Sequence, residues 1–403
     1  MRGSWRDFIV VLAPDALGRV LQALAGLLLI RTLAPADFAA LTITLSAVTA
    51  CSTPLTAAAN RLLLVRRVRE VSIRANVRPL LALAVPTTLA YAYRALGSDS
   101  VILAFTVLLS GALIVGEIAR TRLQARGRLS AYGFAELLRS ATLLCGVALV
   151  MHAVAGAHSA LGLVLGVLVL SYAAPLAMAQ RPPTRHESAH AISHHLVLRD
   201  LLSTATLYAV LVAFASQVVL LQVARLLSVD DLAAFSAAFR LYALSFVVIN
   251  SLHSVILATV GTSAEEEVEA RILSQRGVRF LLASAFVVLS FTAGTWMPIA
   301  TGHRYLTALP ALRILLLTGV SASTLGAMVV IPMRQGAWRS LCVIAVAGLL
   351  LQVALTHVLA AQLGITGAAI AVFVSFTLLN CGVAALALVR RPSIHNAQSV
   401  SLA

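Results

Sequence analysis

Near the start of the chain, Arg31-Thr32-Leu33-Ala34-Pro35-Ala36-Asp37-Phe38-Ala39-Ala40-Leu41 is answered in the second half by Arg225-Leu226-Leu227-Ser228-Val229-Asp230-Asp231-Leu232-Ala233-Ala234-Phe235. Both stretches read R-x-L-x-x-x-D-[FL]-A-A-[LF], and each directly follows the first long apolar run of its half. Alanine- and leucine-rich segments resemble one another by chance. An arginine and an aspartate at the same spacing, at the same point of the apolar pattern, do not. The repeat predicts two related lobes, 1–185 and 186–403, joined near the polar stretch 181–199 that opens Arg181-Pro182-Pro183-Thr184.

The composition around the repeat says what kind of chain carries it. Of 403 residues, 60% are hydrophobic and 11% charged, with a mean hydropathy of +0.95. Soluble domains are roughly 45–50% apolar and about 25% charged, so a soluble enzyme, a nucleic-acid-binding protein and a disordered chain all fit poorly. Apolar runs predict helices at about 8–30, 38–60, 76–95, 100–119, 133–153, 159–179, 200–224, 235–260, 278–297, 308–331, 340–361 and 366–389. The third is the weakest, because Arg78 and Pro79 shorten its apolar stretch. The fold class is all-α: a polytopic membrane protein of about twelve transmembrane helices in two six-helix lobes. A cleaved leader is not expected, since Asp15 and Arg19 interrupt the first apolar run and more spans follow it.

The net charge of +15 has a membrane explanation. All thirty basic residues are arginine, and 22 of them fall in alternate loops (61–78, 120–128, 181–199, 271–279, 334–339) and at the two termini. The intervening loops hold only Arg31, Arg94, Arg225 and Arg304. By the positive-inside rule both termini and the 181–199 connector are cytoplasmic, which requires an even number of spans. Cys51, Cys145, Cys342 and Cys381 are scattered without C-x-x-C spacing, so neither a disulfide framework nor a zinc site is expected. His186, His190, His194 and His195 have a spacing that would suit a metal. They follow two prolines in the connector, which points instead to a solvated loop or interfacial helix.

With loops this short, function has to sit inside or between the helices. Polar residues in a span are costly and face the bundle interior. In span one, Asp15, Arg19, Gln22 and Gly26 share one helical face. In span two, Thr42, Ser46, Thr49, Thr53, Thr56 and Asn60 form a narrow stripe. Helix packing through hydroxyls explains such a stripe as well as substrate binding does. Arg19 lies roughly 16 Å into its helix, too deep for easy snorkelling. Two readings stand for it: a structural pair with Asp15 in the favourable acid-before-base order, or a substrate ligand. Ser236, Arg240, Ser251 and Ser254 share a similar face of span eight. Arg240 and Arg313, nearer the outer ends of spans eight and ten, are further ligand candidates that snorkelling would also explain. Arg31 and Arg225, with Asp37 and Asp231, read either as outer gating pairs or as plain loop ion pairs. Glu136 and Arg139, three apart, are expected to pair locally.

Four stretches carry a family resemblance. Arg31-Thr32-Leu33-Ala34-Pro35-Ala36-Asp37-Phe38 resembles an R-x-L-G-P-x-x-F-G signature, with alanine at both glycines; Leu123-Gln124-Ala125-Arg126-Gly127-Arg128 resembles L-x-A-x-G-R ahead of span five. Ala308-Leu309-Pro310-Ala311-Leu312-Arg313 is like the opening of span ten, and Gly364-Ile365-Thr366-Gly367-Ala368-Ala369-Ile370 resembles G-I-x-G-A-A-I-A opening span twelve. In this order the chain resembles the polysaccharide-export, O-antigen flippase type within the multidrug/oligosaccharidyl-lipid/polysaccharide exporter superfamily.

The resemblance implies two six-helix lobes around a central cavity, working by alternating access in a bacterial inner membrane. Its substrate would be a polyprenyl-diphosphate-linked oligosaccharide. Membrane lipids and other polysaccharide-assembly proteins would be its partners, and nucleic acid would not. No catalytic residue, metal or cofactor is implied, and the coupling ion stays open. Buried guanidinium groups suit a diphosphate as permanent, bidentate partners. A drug/cation antiporter of the same superfamily is the alternative, although it calls for intramembrane carboxylates, which are scarce: Asp15, Glu117 and Glu136. A polysaccharide polymerase or ligase would call for a long outer loop bearing catalytic residues.

Overall fold

The computed structural model describes residues 5–65, 70–71, 73–96, 100–126, 128–153, 160–180, 193–194, 203–260 and 276–389. The helices are α1 (Trp5–Thr32), α2 (Pro35–Val65), α3 (Ile73–Leu96), α4 (Ser100–Ala125), α5 (Leu129–Ala153), α6 (Ala160–Ser171) and α7 (Ala173–Ala179). They continue as α8 (Thr204–Leu226), α9 (Val229–Val260), α10 (Arg276–Thr301), α11 (Leu309–Leu325), α12 (Val330–Arg334) and α13 (Trp338–Val389). Their only extended companions among the described residues are two-residue strands, β1 (Glu70–Val71) and β2 (Ser193–His194), paired in parallel.

Eight segments are long and apolar enough to cross a membrane by length and composition. α6 and α7 together form one of them, and α13, 52 residues long, makes two passes. Its bend is at Gly364, whose φ of 59° and ψ of −139° belong to a region open essentially to glycine. Three residues on, a Cβ at Gly367 would run into the Leu359 carbonyl. The glycines of this motif thus have a mechanical purpose, folding span twelve back on span eleven. α1, α3 and α9 lie outside the apolar set; they carry Asp15 and Arg19, Arg78 with Pro79 and Pro86, and Arg240 respectively. At 28, 24 and 32 residues they remain long enough to span. The passes match the twelve spans expected.

The repeat builds the same turn twice. Leu33 N donates to Leu29 O (3.1 Å) and Phe38 N to Ala34 O (2.9 Å); their counterparts are Leu227 N to Val223 O (3.0 Å) and Leu232 N to Ser228 O (2.9 Å). Pro35 opens α2 where a missing N–H costs nothing. α9 starts on a side-chain cap instead: Ser228 Oγ accepts from Asp231 N (3.2 Å) and pairs with Asp231 Oδ2 (2.8 Å).

α1–α7 pack among themselves, as do α8–α13; α2 lies against α8 and α9, and α1 touches α9 and α10. The boundary expected at 185/186 lies outside the described residues. The two ends of the molecule differ. In the half nearer the repeats, one apolar core joins both lobes, including Leu29, Leu33, Phe38 and Leu41 with Val219, Val223, Phe235 and Met297. Toward the arginine-rich loops the cores part. Ala59, Leu80 and Ile118 serve the first lobe, as do Leu123 and Ala135, while Tyr208, Leu341 and Val383 serve the second. The lobes therefore share a core at the repeat end, while among the described residues each lobe has its own cores toward the arginine-rich end.

Candidate functional site

The first polar feature lies inside the first lobe, where α1 runs along α5. Their approach is close because position 18 is glycine: a Cβ there would stand 3.3 Å from the backbone of Glu136. Glu136 is buried and accepts a forked pair of bonds from Arg139, Nε at 3.0 Å and Nη2 at 2.5 Å. Arg120 Nη1 reaches the same carboxylate at 3.2 Å and Glu117 at 3.1 Å. Arg139 Nη2 also donates to Gln22 Oε1 (3.3 Å) and its guanidinium lies over the Tyr172 ring, 5.1 Å from the centroid. Arg120 covers Tyr132 at 4.7 Å. Arg19 lies within electrostatic reach of Glu136. The expected Glu136–Arg139 pair is made, within a larger cluster in which Arg19, Arg120 and Arg139 face Glu117 and Glu136. The Asp15 side chain lies outside the described residues, so the acid seen beside Arg19 is Glu136.

The face of α1 that carries this cluster also borders open space. Leu17, Val20 and Leu24 are exposed on the opposite, apolar side. Gln22 is exposed too, and nothing lies within 4 Å of where a Cβ on Gly26 would sit.

The span-two stripe divides. Asn60 accepts from the Thr121 hydroxyl on α4, and Thr56 Oγ1 donates to Thr53 O (3.0 Å), so this end is tied into the first lobe. The Asn60 side chain is thus held against α4. Ser52, one residue off the stripe, bonds Ser110 at 2.7 Å and had no signal in the spacing. Thr42 and Ser46 are buried, while Thr49 and Thr53 are half-buried.

The second feature is Arg240, on the face of α9 turned toward α2. Its guanidinium lies 5.0 Å from the centroid of Phe38. Phe38 is fully buried, and its other neighbour is the Tyr305 ring at 6.0 Å. Among the described residues no carboxylate pairs with Arg240. In the register of the repeat it answers Ser46, so this charge belongs to one lobe alone. Below it on α9, Tyr242 and Phe246 stack edge-on at 4.6 Å. Ser236 on the same helix is buried with an unsatisfied hydroxyl, while the side chains of Ser251 and Ser254 lie outside the described residues.

Around Phe38 the lobes are stitched together at the repeat end. Arg31 Nε donates to Ala300 O (3.0 Å) and Arg31 Nη2 to Ile299 O, both at the end of α10. Arg304 Nη1 returns the contact to Leu33 O (3.2 Å). Burial holds the Tyr305 phenol above its usual range, so the ring stays neutral. Neither Arg31 with Asp37 nor Arg225 with Asp231 forms an ion pair. Arg31 caps a helix of the other lobe, Asp231 accepts from the Ser228 hydroxyl that caps α9, and Arg225 and Asp37 form no ion pair among the described residues; Arg225 is exposed. Arg313 is also exposed and lies along α10, its Nη2 3.3 Å from where a Cβ on Gly294 would be. This is the geometry of an arginine extended along a helix surface. Of the histidine group, only the backbone of His194 is described; no group of three metal-binding side chains occurs among the described residues.

No family profile matches the chain, and no curated protein matches it in sequence. Solved structures do match. An inward-facing multidrug resistance MATE family transporter of the MOP superfamily superposes with a TM-score of 0.65 at 16% identity, over 92% of this chain and 94% of that one. This chain has the MATE fold. An outward-facing MATE structure gives 0.61 at 15% identity, covering 95% of both chains. A third match is a MOP superfamily transporter from Pyrococcus furiosus whose binding pocket is of reverse polarity, suggesting a different function; it gives 0.58 at 15% identity, with 95% of both chains covered. The expected architecture of two helical lobes about a central space is thus that of the MATE fold.

Proposed function

We propose that this chain is an alternating-access exporter of an anionic, lipid-linked substrate, with a polyprenyl-diphosphate-linked oligosaccharide as the substrate class. The observation that carries this reading is Arg240, a partly buried guanidinium between the lobes with a ring on its face and no acid among the described residues. A charge so placed is costly without a counter-ion, and a diphosphate supplies one in bidentate form. The acids point the same way. Glu136 is engaged by Arg139 and Arg120, so among the described residues this carboxylate is taken up by cations of the chain itself. This reading takes the arginine-rich loops as cytoplasmic. Outward movement of an anion then gains about 2.3 kcal/mol per charge per 100 mV of inside-negative potential. Gln22, Ser46, Thr49 and Thr53 would meet sugar hydroxyls, with Arg19 beside them as a second cation, while the lipid tail stays in the bilayer.

A drug/cation antiporter is the second reading, favoured by the likeness to multidrug resistance MATE transporters. Proteoliposomes separate the two. The first reading expects translocation of a fluorescent short-chain polyprenyl diphosphate sugar, lost in Arg240→Gln, and no protonophore-sensitive ethidium transport. Ethidium transport that survives Arg240→Gln would overturn it in favour of the antiporter.

A further inference from the structure

Phe38 belongs to the first lobe, and both of its ring contacts, Arg240 and Tyr305, belong to the second. Tyr305 lies in the same 302–308 segment whose Arg304 is bonded to Leu33 O. A single ring thus joins Arg240, an intramembrane cation with no acid partner among the described residues, to the seam closing the repeat end. The second repeat has no such device: Leu232 stands where Phe38 does, and Ser46 stands opposite Arg240.

We infer that Phe38 is a positioning residue that transmits headgroup binding at Arg240 to the opening of the repeat-end seam. The inference rests on the anionic-substrate reading given above. A ring on the guanidinium face leaves the N–H edge free for an anion. The attraction between ring and guanidinium depends on its positive charge. An anion on the edge neutralises that charge, weakens the hold on Phe38 and favours parting of the lobes where the seam is. A contact of this type is worth roughly two- to thirtyfold in a two-state equilibrium. The headgroup that fills the cavity therefore also loosens the exit ahead of it, and an uncharged lipid of the same shape does not.

The test uses the full chain in lipid nanodiscs, with its four cysteines replaced and spin labels on Thr32→Cys and Thr307→Cys, exposed positions on either side of the seam. The probes are farnesyl diphosphate and, as the uncharged control, farnesol. In the parent protein farnesyl diphosphate should lengthen the label distance and farnesol should leave it unchanged. Phe38→Leu should raise the open population without ligand by roughly two- to thirtyfold, still bind farnesyl diphosphate by calorimetry, and show no further ligand response. Arg240→Gln, cutting the same contact from the other lobe, should show the same ligand-free shift and no binding. The double variant should be no more open than either single one. The inference is overturned if Phe38→Leu keeps the parent's ligand-free distances or its full ligand response, or if farnesol acts as farnesyl diphosphate does. Binding to the parent without a distance change removes the coupling alone. Absence of binding removes the anionic-substrate reading along with it.

Discussion

Replacing Glu136 by glutamine tests whether the charge cluster holds the first lobe together. The side chain is nearly isosteric, so packing against Gly18 is retained, but the carboxylate shared by Arg139 and Arg120 is lost. Side-chain exposures of 6% for Glu136, 8% for Arg139 and 12% for Arg120 leave little water to take over as partner. Removing one member of such a buried pair costs about 3–5 kcal/mol, because the surviving charge is stranded. Here two guanidiniums lose their acceptor, although Arg120 keeps Glu117 at 3.1 Å. The loss for Glu136→Gln is therefore expected within that range. The assay is reversible SDS unfolding of the purified protein, followed by tryptophan fluorescence. Arg139→Met should be destabilised to a similar degree. Glu136→Leu combined with Arg139→Met should be more stable than either single variant, since removing a pair together is often close to neutral. Glutamine tolerated within about 0.5 kcal/mol, the scatter of ordinary surface substitutions, or a double variant whose losses simply add, would refute the role given to this cluster.

Other changes read other parts of the molecule. Arg31→Ala removes both bonds to the end of α10 and should raise labelling of a Leu33→Cys thiol, now buried, by an impermeant maleimide; global stability should fall by no more than about 1 kcal/mol, because Arg31 is exposed. Gly364→Ala forces a side chain into a glycine-only conformation, and a loss of about 1–3 kcal/mol is expected in the same unfolding assay. Asn60→Ala should lower stability by about 1 kcal/mol while sparing translocation, as befits a packing residue; translocation lost at normal stability would return Asn60 to the substrate path.

The repeat and the apolar runs carried most of the architecture, because hydropathy and turn chemistry act locally. Pro35, Ser228 and Gly364 punctuate the chain by the same rules whatever packs around them. Arg240 was legible as well, since charge inside an apolar run stands out. Its partner was not. Phe38 is apolar in an apolar helix, and only the approach of a second lobe turns its ring into a seat for a cation. The Glu136 cluster was visible as an i,i+3 pair, but Arg120 and Gln22 come from other helices and join it through side-by-side packing. Arg31 shows the opposite failure. Its spacing to Asp37 suggested an ion pair, yet its acceptors are carbonyls at the end of α10, which no residue type advertises.

The choice of acceptor at that seam bears on how such a chain drifts over generations. A carboxylate partner can be lost by one codon change, whereas the carbonyls of Leu33, Ile299 and Ala300 persist under any substitution that keeps the helix ends in place. Selection then acts on the donor side alone. How readily the two lobes part could be retuned through positions 31 and 304 with little change elsewhere. Related chains could diverge almost completely in sequence along this seam and still close it in the same way.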